Sequence, residues 1–253
     1  MSLLERVISV RGYEIDRHGV VSAAGFLRYF EHARWEALGD PDLEMGRFFQ
    51  DGNRLVVRAQ KLEILEPARF GETLDLAVWI ARVGRTSLDF GQEALRAGTT
   101  VARSSMVAVY LSPGGNPQAV PESVRALVME RPLPQVDLLS VRRPPDAFAL
   151  PLSVRPSDLD LLQHVNQAQY ADYLDDARFL AAEAGVYGPR KSARYPIRRL
   201  AIDYRREARV GDALSVATWP IPLHPLAYGF ELTRSGEEEP IARARVEVAA
   251  LTE

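Results

Sequence analysis

The chain has 253 residues, 47% hydrophobic and 26% charged, fractions usual for a folded globular protein. Lys+Arg is 31 and Asp+Glu is 34, so the net charge of -3 argues against nucleic-acid binding, which needs a basic excess. Cysteine is absent, which excludes disulfides, Cys-ligated zinc, iron–sulfur clusters and a thiol nucleophile. The four histidines, His18, His32, His164 and His224, show neither His-x-His nor HExxH spacing, so neither a metal nor another cofactor is expected. No apolar run reaches the roughly 18 residues of a membrane span. The opening segment carries Glu5 and Arg6 where a signal peptide would be apolar, so a cytoplasmic protein without membrane contact is expected.

In chain order, the pattern predicts a strand at Val7–Ile15, then a helix over roughly Ala23–Leu38 that stops at Gly39. Strand-rich segments follow at Arg54–Glu66, Thr73–Val83, Ser87–Arg96 and Val101–Leu111. Seven of the 17 prolines then fall between Pro113 and Pro145. Proline fixes φ and lacks a donor, so 113–146 reads as a connector with a short helix at Glu122–Glu130. A strand at Phe148–Arg155 and a helix over roughly Gln167–Ala184 come next. Strands at Arg198–Arg206, Leu214–Trp219, Ala227–Thr233 and Ile241–Leu251 complete the order. Ser22 and Asn166 stand where helix N-caps belong.

The two halves repeat. With an offset of 144, positions 9–37 give 10 identities, among them Ser9-Val10-Arg11 on Ser153-Val154-Arg155, Asp16 on Asp160 and Tyr29 on Tyr173. Chance at average composition gives about two. With an offset of 140, Ala68-Arg-Phe-Gly-Glu-Thr-Leu74 falls on Ala208-Arg-Val-Gly-Asp-Ala-Leu214. The domains are therefore expected at 1–112 and 147–253, with 113–146 between them. One helix followed by closely spaced strands favours an antiparallel sheet around that helix, because parallel pairing needs more crossovers.

This layout, with Arg155-Pro-Ser-Asp-Leu-Asp160, Asp160-Leu-Leu-Gln-His-Val-Asn166 and Tyr204-Arg-Arg-Glu207, resembles the hotdog-fold thioesterases, and among them the tandem acyl-ACP thioesterases. The first half, from Ser22 to Arg34, is also similar to the helix start of the 4-hydroxybenzoyl-CoA thioesterase group. The resemblance implies an α+β double hotdog, two repeats each of a long helix wrapped by an antiparallel sheet. It implies hydrolysis of acyl-ACP or acyl-CoA, with the acyl chain in an apolar tunnel. The family pattern, Asp-x-Asn-x-His-x-Asn with a later Glu, carries over to Asp160, His164, Asn166 and Glu207 as the catalytic set. Leu162 replaces the first Asn of that pattern, and Ala208 stands where a Cys can follow the Glu. Fusion supplies the usual hotdog pairing within one chain, and a further homodimer stays open.

The residue types suit the chemistry independently. A carboxylate at Asp160 or Glu207 can take a proton from water, or Asp160 can attack and form a mixed anhydride; His164 can relay the proton. Free N–H groups near Val165 to Gln167 can receive the oxyanion. Taken singly, Asp160 also reads as a turn residue, Asn166 as a cap and Glu207 as an exposed strand carboxylate. The first half keeps Asp16 but has Val20, Ser22 and Pro67 at the other three places, so it is expected to have kept shape and lost chemistry. A basic cluster, Arg190, Lys191, Arg194, Arg198, Arg199, Arg205, Arg206 and Arg209, could receive a phosphate or an acidic carrier protein, or be an exposed face with carboxylate partners. Two other functions stay open. One is a non-catalytic acyl or acyl-CoA binding module, favoured by Leu162. The other is an enoyl hydratase or dehydratase, disfavoured because four residues, not five, lead from Asp160 to His164.

Overall fold

The computed structural model describes residues 4–39, 52–137, 142–188 and 191–249. They fall into two compact units, Met1–Gln135 and Val136–Glu253. Unit 1 contains β1 (Leu4–Ser9), α1 (Ala23–Gly39), β2 (Arg54–Ile64), β3 (Thr73–Val83), β4 (Ser87–Arg96) and β5 (Thr99–Leu111). Its strands run antiparallel in the order β1-β3-β4-β5-β2. Unit 2 contains β6 (Phe148–Ser153), α2 (Gln169–Glu183), β7 (Ile197–Tyr204), β8 (Ala213–Pro220), β9 (Ala227–Arg234) and β10 (Pro240–Val248). Its strands run antiparallel in the order β7-β10-β9-β8-β6.

Each helix packs on the strand that follows the Gly-acid turn, α1 on β3 and α2 on β8. Phe26, Leu27, Phe30 and Ala33 recur at helical spacing and are fully buried on α1, as Leu174, Ala177 and Ala181 are on α2. Buried arginines also recur: Arg34 donates to Gln92 at 3.1 Å, and Arg178 to the Ala193 carbonyl and Asp175. Each sheet also presses an indole onto a glycine. Trp79 on β3 lies opposite Gly91 on β4, and Trp219 on β8 opposite Gly229 on β9.

Several predicted boundaries shift. The strand expected at Val7–Ile15 stops at Ser9, and that at Phe148–Arg155 stops at Ser153. The chain turns there because an acid reaches back. Glu14 accepts from the Arg11 N–H at 2.8 Å, and Asp158 from the Arg155 N–H at 2.8 Å, closing 3-10 turns at Gly12–Glu14 and Pro156–Asp158. The same carboxylates accept from Tyr29 and Tyr173 on the helices, at 2.5 and 2.8 Å. Residues 113–130 join unit 1: the Val120 N–H donates to Arg85, the Met129 N–H to Ile80, and Val124 is buried. The short helix expected at Glu122–Glu130 is a 3-10 turn at Glu122–Leu127. Residues 138–141 of the expected connector, Arg190, and the end of the last predicted strand lie outside the described residues.

Burial alone would raise the Asp158 pKa, but the hydrogen bonds from Arg155 and Tyr173 outweigh it and hold the carboxyl below its ordinary value. A depressed folded pKa stabilises fully above the unfolded value, about 3.9, and the gain is lost as pH falls through the folded value. Asp158→Asn is therefore expected to lower stability at neutral pH and to flatten the loss below about pH 4, read by denaturant titration across pH. A Cβ on Gly229 would lie 2.5 Å from the Trp219 ring. Gly229→Ala should cost about 1–3 kcal/mol and disturb the tryptophan fluorescence.

Candidate active site

In unit 2 the chain from Asp158 to Gln167 is a loop closed on itself. The Asp160 N–H donates to the His164 carbonyl at 2.9 Å, and the Gln163 N–H to the Asp160 carbonyl at 3.0 Å. Closure places Gln163 at φ 61, a left-handed conformation that costs a non-glycine residue energy. Unit 1 builds the same loop from Asp16 to Val20 and uses Gly19, φ 75, at the corresponding place. The loop is then tied to a second segment. The Val165 N–H donates to the Ala208 carbonyl at 2.9 Å, as the Val21 N–H does to Ala68 at 2.8 Å.

This tie brings His164 to Glu207, with Nε2 2.8 Å from Oε2. Arg209 pairs with the other Glu207 oxygen, and Arg234 donates to the Glu207 carbonyl at 3.0 Å. In unit 1, Arg96 makes the same bond to the Pro67 carbonyl at 3.0 Å. The backbone frame is thus common to both units, while Val20 and Pro67 stand in place of His164 and Glu207. Asp160 Oδ1 accepts from the Leu162 N–H at 2.8 Å. Leu162 therefore holds the carboxylate through its backbone, whatever its side chain lacks. Asp16 is held likewise by the N–H groups of His18 and Val20, at 2.8 and 3.4 Å.

Asn166 departs from the expected capping role. Ser22 does cap α1, accepting from the Gly25 N–H at 2.9 Å. Asn166 Oδ1 accepts from the Ala168 N–H at 2.8 Å and closes a turn, so α2 begins at Gln169 instead of Gln167. Of the N–H groups expected to be free, that of Val165 is used on Ala208 and that of Asn166 on the Asp158 carbonyl at 2.8 Å. The Gln167 N–H has no acceptor among the described residues. The Gln167 carbonyl accepts from the Tyr204 hydroxyl at 2.9 Å, and the Tyr204 ring meets Tyr170 edge-on at 5.2 Å. Burial drives the Tyr170 hydroxyl well above its ordinary pKa, against the pull of the Ala208 backbone, so it stays protonated.

One feature went unread in the sequence. Gln167 is buried, and neither side-chain amide atom has a partner among the described residues. Aligning the repeat one position beyond the motif, where unit 1 has Ala23, marks it. The basic cluster follows the second of its two readings, an exposed face with carboxylate partners. Arg194 pairs with Glu183, Arg199 with Glu247, Arg205 with Asp203, Arg206 with Glu237 and Arg209 with Glu207. The cluster is a face largely matched by carboxylates, and the Arg190 and Lys191 side chains lie outside the described residues.

An acyl-acyl carrier protein thioesterase of Arabidopsis thaliana, chloroplastic, is 24% identical over 121 residues, 47% of this chain and 64% of that protein, so the match spans less than two thirds of the plant protein's length. The acyl-CoA thioester hydrolase of Escherichia coli O6:H1 is 30% identical over 115 residues, 45% of this chain and 86% of that protein. Among solved structures, an acyl-ACP thioesterase from Bacteroides thetaiotaomicron has a TM-score of 0.81 at 17% identity, covering 98% of this chain and 100% of its own. The 12:0-ACP thioesterase from Umbellularia californica has a TM-score of 0.78 at 18% identity, covering 98% of each chain. At such identities the likeness shows a shared fold, the hotdog thioesterase fold with its antiparallel sheet. A family model for the thioesterase-like superfamily matches residues 10–128 and 154–250, the greater part of the sequence, and the chain belongs to that superfamily.

Proposed function

We propose that this chain is an acyl thioesterase that hydrolyses the thioester of acyl-ACP or acyl-CoA to the free acid and the carrier thiol. The observation that carries the proposal is the His164–Glu207 contact at 2.8 Å, built into the loop that Asp160 closes. The substrate class is that named for the relatives in Arabidopsis thaliana and Escherichia coli. Each unit is taken as one hotdog repeat organised around its own helix, α1 or α2. Unit 2 holds the chemistry and unit 1 the matching frame. A cytoplasmic location goes with this reading.

Hydrolysis forms a carbon–oxygen bond, breaks the carbon–sulfur bond and moves a proton from water to the thiolate. Asp160 removes the proton from the attacking water, or attacks the carbonyl carbon to give an anhydride that water then cleaves. His164 carries the proton, and Glu207, fixed by Arg209, orients the imidazole. The unpaired Gln167 N–H is the donor for the oxyanion. The binding-module alternative drew on Leu162, but its N–H already holds Asp160 at 2.8 Å, which supports a working carboxylate there.

Asp160→Asn keeps an acceptor for the Leu162 N–H and removes the charge. It should cut turnover by about 10²–10⁴ with unfolding unchanged. Asp16→Asn should alter turnover by less than about twofold. Both follow from thiol release on a panel of acyl-CoA and acyl-ACP substrates. Equal losses from the two variants would mean two working sites. Glu207→Gln should slow hydrolysis on either route. If Asp160 is the nucleophile, an acyl adduct should accumulate in that variant, detectable by intact mass after rapid quench.

A further inference from the structure

Gln167 is 7% exposed, and both its Oε1 and Nε2 are shut off from solvent and without a partner among the described residues. Buried amides are almost always paired, because an unpaired one forfeits its bonds to water. The repeat supplies a comparison inside the molecule. At this position unit 1 carries Ala23, 5% exposed, where α1 has already begun, whereas Gln167 stands in the turn before α2. Gln167 thus joins His164 and Glu207 among the polar groups that only unit 2 carries. It is locked in the same knot: its carbonyl takes the Tyr204 hydroxyl, at the end of β7 that leads into Glu207.

Exposure orders the site. The Glu207 side chain is 45% exposed and that of His164 26%, so the carrier, which remains attached to solvent, belongs on their side. The enclosed Gln167 amide belongs with the acyl group. A plain hydrocarbon chain has no donor or acceptor and would leave the amide unpaired in the complex as well. A hydroxyl can accept from Nε2 and donate to Oε1 through one atom. We propose that the Gln167 carboxamide is a specificity-determining contact for a hydroxyl on the acyl part of the substrate, close to the thioester. The site then selects hydroxyacyl thioesters over plain chains of equal length. This rests on the thioesterase reading above.

The experiment compares kcat/KM for 3-hydroxyacyl-CoA and saturated acyl-CoA of matched length, in the native protein, Gln167→Leu and Gln167→Ala. The native protein should favour the hydroxy substrate by about tenfold or more, since a site built to bond a hydroxyl rejects the analogue lacking it. Gln167→Leu should erase the preference by lowering kcat/KM for the hydroxy substrate about tenfold more than for the plain one. Its thermal midpoint should hold or rise, because a buried unpaired amide is gone; a merely structural role would lower it. Gln167→Ala, which copies unit 1, gives the same readout should leucine not fit. Free 3-hydroxy fatty acid should raise the native midpoint more than the plain acid does, and Gln167→Leu should abolish that difference. The inference fails if the native protein shows no preference, or if both variants slow the two substrates equally, as a bound water or a carrier contact would require. Absence of any thiol release from acyl-CoA or acyl-ACP would instead remove the thioesterase reading, leaving the acid titration to judge the Gln167 contact by itself.

Discussion

A backbone hydrogen bond, from the Val165 N–H to the Ala208 carbonyl, is what brings together candidate site residues far apart in sequence. It joins the loop carrying Asp160 and His164 to the segment carrying Glu207. Without it, His164 would be a histidine in a surface turn and Glu207 a carboxylate after a strand. The bond is reinforced on both sides. Arg155, Asp158 and Tyr173 fasten the loop to α2, and Arg234 holds the Glu207 carbonyl and Asp212. Backbone groups set the positions, so the side chains at 164 and 207 are free to differ from those at 20 and 67. That freedom is used in unit 1, where Val20 and Pro67 occupy an equivalent frame.

The frame was readable because it repeats. Arg11 and Arg155, Asp16 and Asp160, and Tyr29 and Tyr173 coincide at one offset, and each pair proves to make the same bonds in its unit. Hydrophobic periodicity placed α1 within a residue, because a packed helix face leaves a clear stripe. It failed at the ends of β1 and β6, where Glu14 and Asp158 bond back to the chain and turn it. A local side-chain bond of that kind carries no periodic signal.

The candidate site was only partly readable for a related reason. Asp160, His164 and Glu207 stand out by spacing, and folding brings His164 and Glu207 into contact. Asn166 looked like a cap because its residue type and place were right; the turn of Gln167 and Ala168 that displaces the helix start could not be seen. The arginines admitted two readings, a positive face or one matched by carboxylates, because a sequence does not show strand pairing. Across β7 and β10, Arg199 meets Glu247. Gln167 went unremarked because a glutamine near a helix start is ordinary on an exposed surface. What distinguishes it is burial, which only the three-dimensional structure supplies.

The persistence of Asp16 has a physical account in this geometry. Its carboxylate accepts from the His18 and Val20 N–H groups, two donors that the tight loop would otherwise leave unpaired. Asp160 does the same work for Leu162. A side-chain acceptor at this position therefore serves the loop, whether or not a thioester is cleaved beside it. His164 and Glu207 have no such structural duty toward the backbone, and those are the places where unit 1 has become apolar. The same division accounts for Gln167. Its backbone carbonyl serves the fold through Tyr204, whereas its side chain bonds to none of the described residues. Unit 1 starts its helix at Ala23 without an amide, and the proposed hydroxyl contact would give the Gln167 side chain the partner that the described residues do not supply.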